Sequence, residues 1–110
     1  MQYMLLIYSN ENGAPPEEDV IARYGAFTKD VTDSGKLVTA DRLQPVAAAT
    51  TVRIRNGETL VTDGPFAETK EQLGGYYVLD CENIDEALAY AAKIPAAEHG
   101  SIEVRPVWAM

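Results

Sequence analysis

The dipeptide Asn56-Gly57 constrains the fold of this chain more than any other local feature. It separates two alternating runs, TVRIR at residues 51–55 and ETLVT at residues 58–62. A type I′ turn prefers Asn-Gly because both of its central residues need a positive φ. The pattern therefore predicts a β-hairpin in which Val52 and Ile54 share one face and the arginines between and after them share the other.

A β-α-β segment precedes this hairpin. Gln2–Ser9 is apolar at nearly every position, which is typical of a central strand covered on both faces. A helix is predicted to open at Pro15-Pro16 and to end at Gly35, and a second strand covers Lys36–Gln44. The inward stripe of that helix consists of Val20, Tyr24, Phe27 and Val31.

A second β-α-β segment follows the hairpin. Tyr76–Cys81 is a buried strand, and a helix begins after Asn83, with Glu86 reaching back in a variant capping box. Pro95 closes this helix. Ile102–Val107 alternates as a last strand, and its Pro106 indicates an edge position.

This order predicts an α+β fold: a ferredoxin-like βαββαβ sheet with an inserted β-hairpin and both helices on one face. The opposite sheet face is also apolar, and no helix remains to cover it. A second copy of the chain satisfies that requirement, so the sequence predicts a homodimer of the dimeric α+β barrel type.

Composition limits the class of protein. The chain has 110 residues, 46% of them apolar and 24% charged, which predicts a single globular domain over residues 1–110. A net charge of −8 and scattered arginines disfavour direct nucleic-acid binding. No apolar run is long enough for a membrane span, and the lone Cys81 fits a reducing compartment, so a cytoplasmic location is expected.

Several stretches resemble one protein family along the whole chain. They are MQYMLLIY, YGAFTKDV, TTVRIRNGETLVTDGPFAETKEQLGGYYVLD, DEALAYAAKIP and GSIEVRPV. They are similar to the DGPF-domain branch of the YCII-related family, whose name-giving motif is matched by Asp63, Gly64, Pro65 and Phe66. The resemblance implies a ferredoxin-like fold and a dimeric α+β barrel, and family members are often encoded beside extracytoplasmic-function sigma factors.

The resemblance does not carry a catalytic dyad into this chain. The shorter YCII branch has a His–Asp pair proposed as catalytic, and the position of its histidine corresponds to Tyr24 here. A phenol with a reference pKa of about 10 does not replace imidazole as a base near neutral pH without a large shift. The dyad chemistry is therefore not transferred.

The DGPF stretch offers one candidate acid, Asp63. At the end of a strand its carboxylate either acts as a general base in a cleft or accepts backbone N–H bonds that fix an Asx-type turn. Gly64 permits a positive φ, and Phe66 is expected to anchor the loop to the body of the protein. Gly64 and Phe66 are also candidate ligand-binding residues. Lys70 is a second candidate, which either joins Asp63 in binding a carboxylate or carbonyl or lies on a solvated helical turn over Glu68–Gln72.

Further candidates lie on the first helix and the second strand. Tyr24 and Phe27 are either core residues or the aromatic wall of a small-molecule pocket between helix and sheet. Asp41 and Arg42 either pair on the surface or form part of the rim of that pocket. Gly74 and Gly75 suit a close backbone approach, a strand junction or a bulge.

No metal or cofactor motif is present in the sequence. HxxxH, CxxC, GxSxG and phosphate-binding glycine patterns are absent, His99 is the only histidine, and no cofactor is predicted. The leading hypothesis is a small dimer that binds a small organic ligand, with weak acid–base activity as an open question. The alternative is a non-enzymatic regulatory module linked to sigma factors.

Overall fold

The computed structural model describes residues 1–13 and 18–109, so the helix opening expected at Pro15-Pro16 lies outside the described residues. The strands and helices, in chain order, are β1 (Gln2–Ser9), α1 (Glu18–Asp33), β2 (Leu37–Arg42), β3 (Thr50–Arg55), β4 (Glu58–Asp63), β5 (Gln72–Asp80), α2 (Ile84–Ala91) and β6 (Ser101–Pro106). Short 3-10 turns cover Val46–Ala48 and Pro95–Glu98.

Four strands form one sheet in the order β2-β5-β1-β6, and each neighbouring pair is antiparallel. With the hairpin set aside, this is the ferredoxin-like order that the sequence predicted. Strand β6 lies at an edge, as Pro106 indicated. The sheet together with α1 and α2 is called the body below.

The core lies on one face of the sheet. Leu5, Leu79 and Val31 are fully buried in one cluster that also contains residues of α2. Because side chains alternate along a strand, the other positions of β1 and β5 face away from both helices. Met4 pairs with Val78 and Leu6 with Tyr76 on that side, which is called the open sheet face.

The predicted termini at Gly35 and Asn83 are confirmed, the second with a change of hydrogen-bond partner. Gly35 has φ +72° and ends α1 as a left-handed cap. The Asn83 side chain accepts a hydrogen bond from the Glu86 N–H at 3.0 Å. The Glu86 carboxylate accepts a hydrogen bond from the N–H of Glu82 at 3.2 Å, one residue before the cap.

The hairpin forms as predicted. Asn56 and Gly57 have φ of 52° and 79°, and within the part of the chain that the structure describes β3 and β4 pair only with each other. Val52 lies opposite Val61 on the face that also carries Ile54. These two strands are called the arm.

The helical turn expected over Glu68–Gln72 does not form. The segment before β5 consists of bends, and the strand begins at Gln72, four residues earlier than expected. Gly75 explains part of this difference, because a Cβ there would lie 2.9 Å from the backbone oxygen of Asp41. Gly75 therefore lets β2 approach β5 closely, and Gly74 has open space around its Cβ position.

Candidate functional site

Asp63 ends β4 as an exposed residue. Among the described residues its carboxylate accepts no hydrogen bond, so the expected Asx-type turn is wrong. The turn is held instead by the Gly64 N–H, which donates to the Ala49 carbonyl at 2.7 Å, and by the Thr51 hydroxyl, which donates to the Gly64 carbonyl at 2.8 Å. Gly64 has φ +102°, so its conformational role is confirmed. The carboxylate of Asp63 is left accessible to solvent.

Phe66 does not anchor its loop to the body. Its side chain is 76% exposed, so the expected anchoring contact with the body is wrong. The loop is tied through its backbone, since the Arg53 guanidinium donates to the Phe66 carbonyl at 3.2 Å.

Lys70 lies in the bend that precedes β5 and is exposed. Among the described residues it forms no ion pair, with Asp63 or with any other acid. The segment is organised by its neighbours: the Thr69 hydroxyl donates to the Glu71 carbonyl at 2.7 Å, and the Gln72 amide donates to the Thr69 carbonyl at 2.6 Å. The structure does not bring Asp63 and Lys70 into direct contact.

Asp41 and Arg42 point to opposite faces of the sheet. Asp41 lies opposite Tyr76 and accepts a hydrogen bond from its hydroxyl at 2.8 Å on the open sheet face. This bond raises the pKa of the Tyr76 phenol. Arg42 lies opposite Gly75, on the helix side. The two residues therefore do not form a surface pair and do not line one pocket together.

Polar side chains converge on the helix side, between α1 and the β2–β5 pair. The Thr28 and Tyr77 hydroxyls are 2.7 Å apart. Tyr24 lies one helical turn before Thr28, and Arg42 is diagonal to Tyr77 across the β2–β5 register. These four residues, Tyr24, Thr28, Arg42 and Tyr77, are called the tyrosine cluster.

The pKa of Tyr24 responds to two other members of the cluster, Tyr77 and Arg42. Partial burial raises the pKa of the Tyr24 phenol, and the nearby Tyr77 phenol adds to this effect. Hydrogen bonding with the Ala96 backbone and the charge of Arg42 act on this pKa in the opposite direction. The net shift is upward, so Tyr24 is a neutral hydrogen-bond donor at physiological pH and not a base.

Phe27 supports the cluster from the core. Its ring is 5% exposed and meets the Tyr77 ring edge to face, with 5.0 Å between centroids. The packing fixes the ring of Tyr77, whose hydroxyl carries the bond to Thr28. Sequence reasoning missed Thr28 and Tyr77. The i, i+4 spacing of Tyr24 and Thr28 was the available signal for Thr28, and the strand register that places Tyr77 is tertiary.

Two concavities lie elsewhere on the body. One, of about 900 Å³, is an open depression lined by Met1, Gln2, Asp80, Pro106, Val107, Trp108 and Ala109. The other, of about 340 Å³, is lined by Met1, Ser34, Gly35, Lys36, Asp80, Cys81 and Glu82. Neither includes a residue that the sequence singled out as a site residue. Within residues 1–13 and 18–109 no helix has the length and apolar character that crossing a membrane requires.

Comparison with known proteins identifies relatives by sequence and by fold. Residues 1–110 match the YCII-related domain. An uncharacterized protein of Rhizobium meliloti (strain 1021) is 43% identical over 114 residues, covering 97% of this chain and 92% of that protein.

A solved structure shares the fold at low sequence identity. It is 5-chloro-2-hydroxyhydroquinone dehydrochlorinase from Burkholderia phenoliruptrix in complex with 2,5-dihydroxybenzoquinone. The two chains superpose with a TM-score of 0.56 at 12% identity, over 98% of this chain and 94% of the other. The likeness supports the α+β barrel type of fold.

Proposed function

The chain belongs to the YCII-related family, and we propose that it is a homodimer that binds a small organic anion at the tyrosine cluster. The observation that carries this proposal is the convergence of three hydroxyls and one guanidinium on one side of the sheet. Hydroxyl donors beside a guanidinium suit a carboxylate, phenolate or enolate oxygen.

The chemistry of the cluster favours binding over proton abstraction. Tyr24 stays protonated near neutral pH because burial raises its pKa, so it donates a hydrogen bond to an anionic oxygen. Arg42 supplies the compensating positive charge. Asp63 and Lys70 remain candidate acid–base groups, and their part in any reaction is a proposal that rests on the accessibility of the Asp63 carboxylate.

The quinone bound by the structural neighbour suggests a probe. 2,5-Dihydroxybenzoquinone carries acidic hydroxyl groups on a planar ring. We expect the wild-type protein to bind it in a calorimetric titration, and Arg42→Gln and Tyr24→Phe each to weaken binding about tenfold, the scale of one charge-assisted or desolvated hydrogen bond. Arg55→Gln removes the same charge from the exposed arm and serves as the matched control. Equal affinities for all four proteins would refute the site.

The dimer is proposed from the apolar centre of the open sheet face. Met4, Leu6 and Tyr76 are half-buried there and lie outside the core cluster of the helix side, while Val78 between them is 6% exposed. Leu6→Glu places a charge on this face and is expected to give a monomer in sedimentation velocity. Leu88→Glu is the matched control, because Leu88 is 49% exposed on the helix side. A Leu6→Glu variant that stays dimeric would contradict this interface.

A second candidate function is a regulatory module that binds an extracytoplasmic-function sigma factor. The favouring observation is Trp108, which is 90% exposed in a chain of net charge −8, a combination suited to a basic partner with an apolar pocket. Trp108 is the only tryptophan, so its fluorescence reports binding directly. No change on titration with purified sigma factors from the same genome would remove this candidate. The lone, buried and free Cys81 supports a cytoplasmic location for either function.

A further inference from the structure

The arm exposes an apolar face that no other part of residues 1–13 and 18–109 covers. Val52, Ile54 and Val61 share this face and are 60%, 66% and 64% exposed. Three such side chains make a patch on the order of 300 Å², comparable to the largest patch on an ordinary monomer. A two-stranded hairpin without packing partners is marginally stable in water. The arm therefore needs a covering surface.

The covering surface is not the open sheet face of the same chain. The molecule measures 47 × 40 × 18 Å, and 18 Å is the depth of one sheet and one helix layer. An arm folded over the open face would add a third layer of about 10 Å. The arm therefore extends beside the body. Each chain presents two surfaces outside the core, the arm and the open sheet face, whose half-buried apolar centre lies between polar edge residues such as Asp41 and Glu103.

The combined area of these two surfaces matches the area that each partner buries in a stable dimer. Four strands of six to nine residues, spaced about 4.8 Å apart and rising about 3.4 Å per residue, give the open sheet face about 470 Å² in all. A stable interface buries about 800 Å² on each partner. The sheet face alone falls short of this value, whereas the sheet face and the arm together reach about 800 Å².

We propose that the arm of each chain packs its Val52, Ile54 and Val61 face against a second copy of the chain, beside the partner's open sheet face. The inference rests on the dimer proposed above and assigns the arm to its interface. A two-fold axis brings each arm to the other chain, so both copies cover both of their apolar surfaces in one closed assembly.

Sedimentation velocity on full-length variants tests the arm separately from the sheet face. Ile54→Glu is expected to raise the dimer dissociation constant at least about tenfold, because it buries an unpaired charge. Thr62→Glu adds the same charge to the opposite face of the same hairpin and should change the constant by less than about twofold. If the two variants dimerise equally, the arm lies outside the interface and only this inference fails. A monomeric wild type would instead overturn the dimer itself.

Hydrogen exchange keeps the test valid if Ile54→Glu disorders the arm. In the wild type, amide exchange in β3 and β4 should slow as the protein concentration rises through the dissociation constant. Val52→Thr keeps the shape of the side chain and should weaken dimerisation several-fold with the turn intact. Arm exchange that is independent of concentration would overturn the proposal.

Discussion

Strands β1 and β3 each place apolar side chains on one face of a β-ladder, yet these side chains have opposite surroundings in the single chain. Leu5 of β1 is completely buried, whereas Ile54 of β3 is 66% exposed. Strand β1 lies between β5 and β6 and beneath two helices, whereas β3 pairs only with β4. The comparison shows that alternating apolar residues predict a strand face that must be buried, but not whether the same chain or another chain buries it.

The strongest challenge to this comparison is a pair of alanine substitutions. Leu5→Ala should lower the free energy of unfolding by about 2–5 kcal/mol, because it leaves a cavity in the body core. Ile54→Ala should lower it by less than about 0.5 kcal/mol when the protein is dilute enough to be monomeric. Urea unfolding measures both values. Similar losses would show that the arm is packed within its own chain.

A pair of glycine substitutions tests how closely β2 approaches β5 in the body. Gly75→Ala should cost about 1–3 kcal/mol, because the new Cβ would lie 2.9 Å from the Asp41 carbonyl oxygen and force β2 to move. Gly74→Ala is the control, since its Cβ position has nothing within 4 Å. Equal unfolding free energies for the two variants would contradict the close approach of β2 to β5.

The turn of the arm predicts a smaller and local effect. Asn56 holds φ 52°, a conformation that costs alanine roughly 1 kcal/mol. Asn56→Ala should therefore accelerate hydrogen exchange in β3 and β4 and leave exchange in the body unchanged. The control is Glu58→Ala, which alters an exposed residue of the same hairpin that is not one of the two central turn residues. Faster exchange throughout the body would mean that arm and body unfold as one unit.

The smallest predicted effect is on how the stability of the body falls at acidic pH. The Lys36 ammonium, 2.8 Å from the Glu86 carboxylate, and the Glu82 N–H lower the pKa of Glu86. A lowered folded-state pKa gives stability that is present above the unfolded pKa and is lost as the pH falls through the folded value. Glu86→Gln should flatten the fall in urea midpoint between about pH 6 and 3. Asp85→Asn is the control, and an unchanged slope for Glu86→Gln would contradict the assignment.

The candidate site was predicted less well than the fold. Tyr24 and Arg42 were singled out from the sequence, and the structure places both on the helix side with Tyr77. Asp41 was grouped with Arg42, but adjacent residues of a strand face opposite ways once the strand is placed in a sheet. Phe66 was expected to be an anchor because large apolar side chains are usually buried, and the loop instead turns it outward.

The sequence by itself determined the elements, because their signals are local. Asn-Gly indicates a turn because both residues accept a positive φ, the apolar stripe of α1 recurs with the period of a helix, and proline in a strand indicates an edge position. Only the tertiary structure decided how far β5 extends and which hydroxyls meet, because register and sheet face depend on contacts between residues such as Thr28 and Tyr77, which are far apart in the chain. The same reason applies to the arm: its turn follows from two adjacent residues, whereas the surface that packs against it depends on contacts distant in the chain or in another chain.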